Sequence, residues 1–304
     1  MKRKRIQKYR KIVKLERRIT MKKLFAIDID GTLLTSDHRL TRETNEAIQY
    51  VQQQGHVVMI CSGRAPESIL TLMKEEGIHC PFAASNGTVV YHNGMLLDEI
   101  NLSNEQVTDV ATYLDKYHMP YRLYTSKGIY VPLSWDERVQ RIVKLGAIPS
   151  DFTKHDDFQR MLEHPPSYQD LHEFHDIKDL LDNVLTIQKF FVLTLEPTKK
   201  EKLKMEMERI PLVGVTTSAP FNLEVMHKHG DKGFGIETMA NHLGISLKNT
   251  VAIGDNYNDI PMFQKAGLSI AMGNADDAIK QLCNVVTSSN NENGVAKALM
   301  TYGK

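Results

Sequence analysis

An α/β fold with a doubly wound parallel-sheet core and an inserted α+β domain is predicted by three features of the 304-residue sequence. Short apolar runs alternate with helix-length amphipathic segments in the first 84 residues and again beyond Gly230, as buried parallel strands and their crossover helices require. Between these stretches the pattern changes to hairpin signals and isolated helices, the grammar of antiparallel pairing. With 41% hydrophobic and 25% charged residues, the chain has the composition of an ordinary globular protein long enough for two domains.

The first run, Leu24 to Ile29, opens onto a glycine-containing turn, as a buried strand should at its ligand-binding end. A helix from Thr41 buries Ala47, Ile48 and Val51 and stops at Gly55, and Val57 to Cys61 forms the next strand. Pro66 starts a second helix, which ends near Gly77. Val89 to Tyr91 and Met95 to Leu97 flank Asn93-Gly94, a two-residue hairpin signal. Ser103 and Gln106 form a capping box before the stripe Val107, Val110, Ala111, Leu114, and a further hairpin is expected around Ser126-Lys127-Gly128. The segment from about Pro149 to Asp182 is polar, rich in His and Asp and broken by Pro165-Pro166, and no element is assigned to it. A strand from Ile187 to Leu195, a charged helix from Lys199 to Arg209 and strands at Val213 to Thr217 and Asn222 to Met226 complete the insertion. The first grammar then returns with a helix from Lys232 to Leu243 and strands at Thr250 to Ile253, Ser269 to Met272 and Val285 to Thr287. The expected division is a basic, disordered extension over 1–20, a core of 21–87 and 227–304, and an inserted domain of 88–226.

Charge excludes some function classes. Residues 1–20 hold ten Lys or Arg and one acidic residue, leaving 28 basic against 36 acidic residues in the body, about −8. Such a body gives nucleic acid or an anionic membrane little to bind. The basic tract reads as a solvated extension, with RNA or an acidic partner as its alternative. No apolar stretch reaches the roughly 20 residues of a membrane span. Cys61, Cys80 and Cys283 form no CxxC pair and suggest neither a disulfide framework nor a zinc site, so a cytoplasmic location is expected. His155, His164, His172 and His175 match no ligand spacing and read as a solvated loop.

Four separated pieces converge if every parallel strand ends at one edge of the sheet: Asp28-Ile29-Asp30-Gly31-Thr32, Ser62-Gly63-Arg64, Lys232, and Gly254-Asp255-Asn256-Tyr257-Asn258-Asp259. Together they supply what phosphoryl transfer needs: a nucleophile, neutralisation of phosphate oxygens and a proton for the leaving alkoxide. Asp28 offers a carboxylate nucleophile at the strand end. Asp30, two residues on and expected to point the same way, would serve as general acid and base in turn. The backbone of Gly31 and Gly63, with Ser62, Lys232 and Asn258, would hold the phosphate. Asp255, with Asp28 and the Asp30 carbonyl, would hold Mg2+, and Asp259 would orient a metal-bound water. Taken singly, each piece is more commonly an Asp helix cap, a Ser-Gly turn or a surface lysine, and the ordered set is what is specific.

D-x-D-G-T, S-G-R, D-K-G and G-D-x-x-N-D together resemble the four motifs of the haloacid dehalogenase superfamily. The insertion between the second and third motifs, starting after Ser85-Asn86-Gly87 and left through Glu224-Val225, is similar to the C2B cap of its Cof-type (subfamily IIB) branch. The resemblance implies a Rossmann-like core, Mg2+ and an aspartyl-phosphate on Asp28. It also implies a small phosphorylated metabolite as substrate: a sugar phosphate, a nucleotide, or a flavin or vitamin B6 precursor such as 5-amino-6-(5-phospho-D-ribitylamino)uracil. A monomer or homodimer is expected, and Asn86 is a candidate substrate contact where the chain enters the cap. His227-Lys228-His229 departs from the family pattern and reads as solvated rather than as a substrate contact. A phosphomutase or phosphotransferase using the same intermediate, and a non-catalytic binding protein, remain as alternatives.

Overall fold

The computed structural model describes residues 21–145, 148–153, 158, 162, 171–182 and 185–304. The extension 1–20 and two of the histidines considered above, His155 and His164, lie outside the described residues. Among the described residues no helix is long and apolar enough to cross a membrane.

Eight strands form the larger sheet: β1 (Leu24–Ile27), β2 (Val57–Cys61), β3 (Phe82–Ala84), β4 (Val89–His92), β5 (Met95–Glu99), then β12 (Thr250–Gly254), β13 (Leu268–Ala271) and β14 (Val285–Val286). Their order is β14-β13-β12-β1-β2-β3-β4-β5, parallel from β14 to β3 and antiparallel beyond. The strands are apolar throughout because both faces are covered. Phe25 and Ile27 pack with Ile48, Val51, Ile69 and Leu299 on one side. Leu24 and Ala26 pack with Ile236, Met239, Met262 and Phe263 on the other. Chain order reverses between β1 and β12, so the crevice of a doubly wound sheet falls where those two strands end.

The helices of this unit follow their sequence signals closely. Arg42–Gln53 is capped by the Thr41 side chain, Pro66–Glu76 starts on its proline and ends at Gly77, and Lys232–Leu243 ends at Gly244, both glycines being left-handed.

The smaller sheet contains β6 (Tyr121–Thr125), β7 (Gly128–Pro132), β8 (Leu171–Phe174), β9 (Ile187–Leu193), β10 (Val213–Thr216) and β11 (Asn222–His227) in the order β10-β11-β9-β6-β7-β8. It is antiparallel except between β7 and β8. Helices Asn104–Lys116 and Pro197–Met207 cover one face, and Trp135–Leu145 covers the other. The Ser103–Gln106 capping box is present.

Three readings change. The Asn93-Gly94 turn forms with both residues at positive φ, but its strands β4 and β5 extend the larger sheet. Val89–His92 and Met95–Glu99, read as part of the insertion 88–226, thus lie in the larger sheet, because a turn signal fixes a hairpin and says nothing of the edge it joins. The helix Trp135–Leu145 arises where no element was read, anchored by a fully buried Trp135. Within 149–182, to which no element was assigned, lie a short helix Ser150–Thr153, β8 and the helix Ile177–Asp182.

Candidate active site

β1 ends at Ile27, and the Asp28 amide still donates to the Ile253 carbonyl of β12 at 3.0 Å. The chain then makes one wide turn, with Leu33 N–H bonding the Asp28 carbonyl at 3.1 Å and Leu34 N–H bonding that of Ile29 at 3.0 Å. Gly31 sits inside it at φ +79°, and a Cβ there would fall 2.5 Å from Asp255 Oδ2. Glycine thus meets two needs at once: a left-handed backbone and a gap against the neighbouring carboxylate.

Three carboxylates and one ammonium meet at this edge. Lys232, the first residue of its helix and fully buried, donates to Asp28 Oδ1 at 2.6 Å and to Asp259 Oδ1 at 2.5 Å. The helix is fixed there by the Asp231 side chain, which accepts from Phe234 N–H at 2.9 Å. Asp259 Oδ2 accepts from the amides of Asp255 and Asn256 at 2.9 and 3.0 Å, bracing the loop after β12. Thr32 Oγ1 donates to Asp255 Oδ1 at 2.6 Å. Ligand oxygens of Asp28, Asp255 and Asp259 lie within 4.8 Å of one another.

The electrostatics follow from crowding three carboxylates around one ammonium. Burial raises the Asp28 carboxyl; Lys232 opposes this, while Asp259 and Asp255 add to it, and the net direction is upward. Asp255 is pushed up to about 7 by burial and by Asp259, against the Thr32 hydrogen bond. Burial pulls Lys232 down, but Asp259 and Asp28 outweigh it and hold the ammonium above the usual lysine range. A cluster with this surplus of negative charge, all oxygen ligands and a gap kept open by Gly31 fits a hard divalent cation. Asp28 and Asp255 are the better donors, since both Asp259 oxygens are already engaged.

The other residues singled out in the sequence fall into two groups. Ser62 is buried at the end of β2, with its Oγ accepting from Arg64 N–H at 3.2 Å. Asn258 donates to Asn86 Oδ1 at 3.2 Å, and its own Oδ1 is buried without a hydrogen-bond partner in the structure. Asn258 and Asn86 share a cavity with Lys232, and Ser62 follows β2, the strand beside β1. Asp30 does not join the carboxylate cluster: its carboxylate is gripped by Arg64 through Nε at 2.8 Å and Nη2 at 2.6 Å, with His38 at 3.9 Å. The i, i+2 expectation fails because the strand stops before Asp28 and the turn rotates Asp30 outward. Burial raises its carboxyl, but the Arg64 hydrogen bonds and charge prevail and the net direction is downward.

Cys61 is core, with burial pushing its thiol well up. His172 is exposed and stacks on Tyr130. Lys228 and His229 are exposed, as a solvated stretch would be, while His227 is half-buried; His227 and Lys228 border a cavity of about 530 Å3 between β10 and the Tyr257–Asn258 loop.

Two charged residues escaped the sequence reading. Lys189 on β9 and Glu224 on β11 are 0% and 4% exposed in their side chains and pair at 2.9 Å. Lys189 Nζ also donates to the Gly63 carbonyl at 2.7 Å, and Glu224 Oε2 accepts from Asn86 Nδ2. Asn256 Nδ2 donates to the Ser218 carbonyl at 3.0 Å, a further bond from the core loops to the insertion. A charge inside an otherwise apolar run, IQKFFVL or NLEVMH, was the available signal.

Comparison with known proteins agrees with this architecture. The haloacid dehalogenase-like hydrolase family matches residues 25–299. Phosphatase YwpJ of Bacillus subtilis is 30% identical over 289 residues, covering 90% of this chain and 97% of that protein. The 5-amino-6-(5-phospho-D-ribitylamino)uracil phosphatase YwtE of the same organism is 29% identical over 277 residues, covering 90% and 96%. The structure of a haloacid dehalogenase-like hydrolase from B. subtilis superposes with a TM-score of 0.81 at 27% identity, covering 91% of this chain and 99% of that one. With the motif residues gathered at one sheet edge, the chain belongs to the haloacid dehalogenase-like hydrolases, as a phosphatase acting on phosphoric monoesters.

Proposed function

We propose that the protein is a Mg2+-dependent phosphatase of small phosphorylated metabolites that works through an aspartyl-phosphate on Asp28. The observation that carries this reading is the contact of one buried ammonium, Lys232, with both Asp28 and Asp259, next to Asp255, at the ends of β1 and β12.

In the first step an Asp28 carboxylate oxygen attacks phosphorus as the P–O bond to the leaving group breaks. The departing alkoxide takes a proton from Asp30, which must first leave Arg64, turn toward the site and take up a proton from solvent. In the second step water attacks the phosphorylated Asp28 and gives its proton to Asp30, and the Asp28–phosphorus bond breaks to release inorganic phosphate. Lys232 neutralises phosphate oxygens and keeps Asp28 oriented, while Ser62 and the backbone around Gly31 and Gly63 donate hydrogen bonds to them. Asp28, Asp255 and the Asp30 carbonyl would hold Mg2+, which when bound supplies charge neutralisation for the transferring phosphoryl group. The insertion, which meets the core at Gly63, Asn86 and Asn256, would close over the leaving group and choose among substrates. Sugar phosphates, nucleotides and flavin or vitamin B6 precursors are the classes to assay, including the phosphoribitylaminouracil named for the YwtE relative.

Purified protein should release phosphate from members of such a panel, and Asp28→Asn should abolish release while leaving the circular dichroism spectrum and melting temperature near wild type. Phosphate release by the variant at a rate near wild type would refute the mechanism.

A further inference from the structure

We propose that Lys189 and Glu224, carried on the insertion, are positioning residues for phosphate binding. Lys189 fixes the Gly63–Arg64 peptide so that its N–H faces the Ser62 hydroxyl, and Glu224 holds Asn86 against Asn258. This rests on the reading of Ser62-Gly63-Arg64 as a phosphate-binding loop.

The argument begins with cost. Removing an ion pair from water is expensive, and a buried pair can often be replaced by apolar residues at no loss of stability. Lys189 and Glu224 point to the face of their sheet opposite the apolar cluster that their strand neighbours Phe190, Val192, Leu223 and Val225 form, so that cluster takes no support from them. What the pair does have is two bonds that leave the insertion, to the Gly63 carbonyl and the Asn86 amide. Lys189 Nζ also lies 4.3 Å over the Tyr124 ring, which confines it further.

The bond to Gly63 matters because of peptide geometry. The Gly63 carbonyl and the Arg64 N–H belong to one planar trans unit and point in opposite directions. A cation on the carbonyl therefore fixes the direction of the N–H, which lies 3.2 Å from Ser62 Oγ. Bonds within the core hold neighbouring groups: Ser62 N–H to the Ala83 carbonyl at 2.9 Å, Asn86 N–H to that of Ser62 at 2.9 Å, and Ser85 N–H to that of Arg64 at 2.8 Å. The peptide between them takes its carbonyl partner from the insertion. Glycine is needed at 63, where a Cβ would lie 2.9 Å from Asn86 Oδ1.

Glu224 sets the direction of a second chain. A carboxylate accepts, so Asn86 must present its amide nitrogen to it and its oxygen to Asn258 Nδ2. Asn258 Oδ1 then faces away from Asn86 as a buried acceptor open to a donor from substrate or water. When the insertion closes, both chains engage together, which ties substrate enclosure to the geometry of the phosphate site.

The test is the double variant Lys189→Met with Glu224→Gln, which removes both charges and keeps an acceptor for Asn86. Stability should change little, while kcat/KM for p-nitrophenyl phosphate should fall roughly 100-fold, the cost of a loop misplaced by about 1 Å. The loss should appear mainly in KM, with a parallel rise in the inhibition constant of inorganic phosphate and unchanged half-saturation by Mg2+. A purely structural role would lower the melting temperature and leave these constants alone. If the double variant does not fold, Lys189→Gln replaces the charged donor to Gly63 with a neutral amide, and a loss of about tenfold is expected. Wild-type kcat/KM and phosphate inhibition in a folded variant would overturn the proposal. Wild-type protein that hydrolyses no phosphomonoester, or whose turnover ignores Asp28→Asn, would overturn the phosphatase mechanism instead.

Discussion

Gly31→Ala separates the site's geometry from general stability. Two costs follow from the structure. An alanine held at φ +79° costs about 1–2 kcal/mol, the penalty of the left-handed region. Its Cβ would also stand 2.5 Å from Asp255 Oδ2, so restoring ordinary contact at 3.4 Å requires the carboxylate to move about 0.9 Å. That shift strains the 2.6 Å bond from Thr32, a charge-assisted hydrogen bond whose loss adds about 1.5–3 kcal/mol. A total of about 2.5–5 kcal/mol lowers the melting temperature by on the order of 10 °C. A displacement approaching 1 Å at a metal-binding carboxylate should lower kcat roughly 100-fold and weaken activation by Mg2+. Gly55→Ala is the control, because Gly55 lies at φ +88° with nothing within 4 Å of the added Cβ. It should show the conformational penalty and normal kinetics. Thermal melts and Mg2+ titrations of phosphate release on both variants decide the matter. A Gly31→Ala enzyme with kcat and Mg2+ half-saturation within about twofold of wild type would refute the reasoning that Gly31 keeps Asp255 in place.

Two further outcomes concern the carboxylates. EDTA should silence phosphate release and added Mg2+ should restore it, whereas a zinc-selective chelator should not; turnover by rigorously metal-free protein would contradict the role given to Asp255. Because folding raises the Asp255 carboxyl from 3.8 to about 7, its contribution to stability is complete below pH 3.8 and is lost as pH rises through about 7. Metal-free wild type should therefore lose more stability between pH 5 and pH 8 than Asp255→Asn does, and Mg2+ should stabilise wild type more at pH 8 than at pH 5. Equal pH slopes for the two proteins would show that Asp255 is not strained by its neighbours.

The two sides of the site were legible in the sequence to different degrees, and the reason is physical. Asp28, Ser62 and Asp255 directly follow strands whose continuous apolar runs betray burial on both faces, so parallel order alone brings them to one edge. Lys232 was legible for a related reason, as the first residue of a helix with a clear stop at Gly244. Asp30 was misplaced because its direction depends on where β1 ends and on Arg64, a partner 34 residues away. The sheet that β4 and β5 join depends likewise on a pairing no local pattern records. Lys189 and Glu224 are the informative failures. On its own strand each is a local contradiction, a charge in an apolar run, and its partners come from another strand and another unit. Natural sequences tolerate such contradictions chiefly at strained or functional positions. A charged residue inside an otherwise buried strand should therefore be read as pointing to a partner outside its sheet, and the backbone carbonyl of Gly63 is that partner for Lys189.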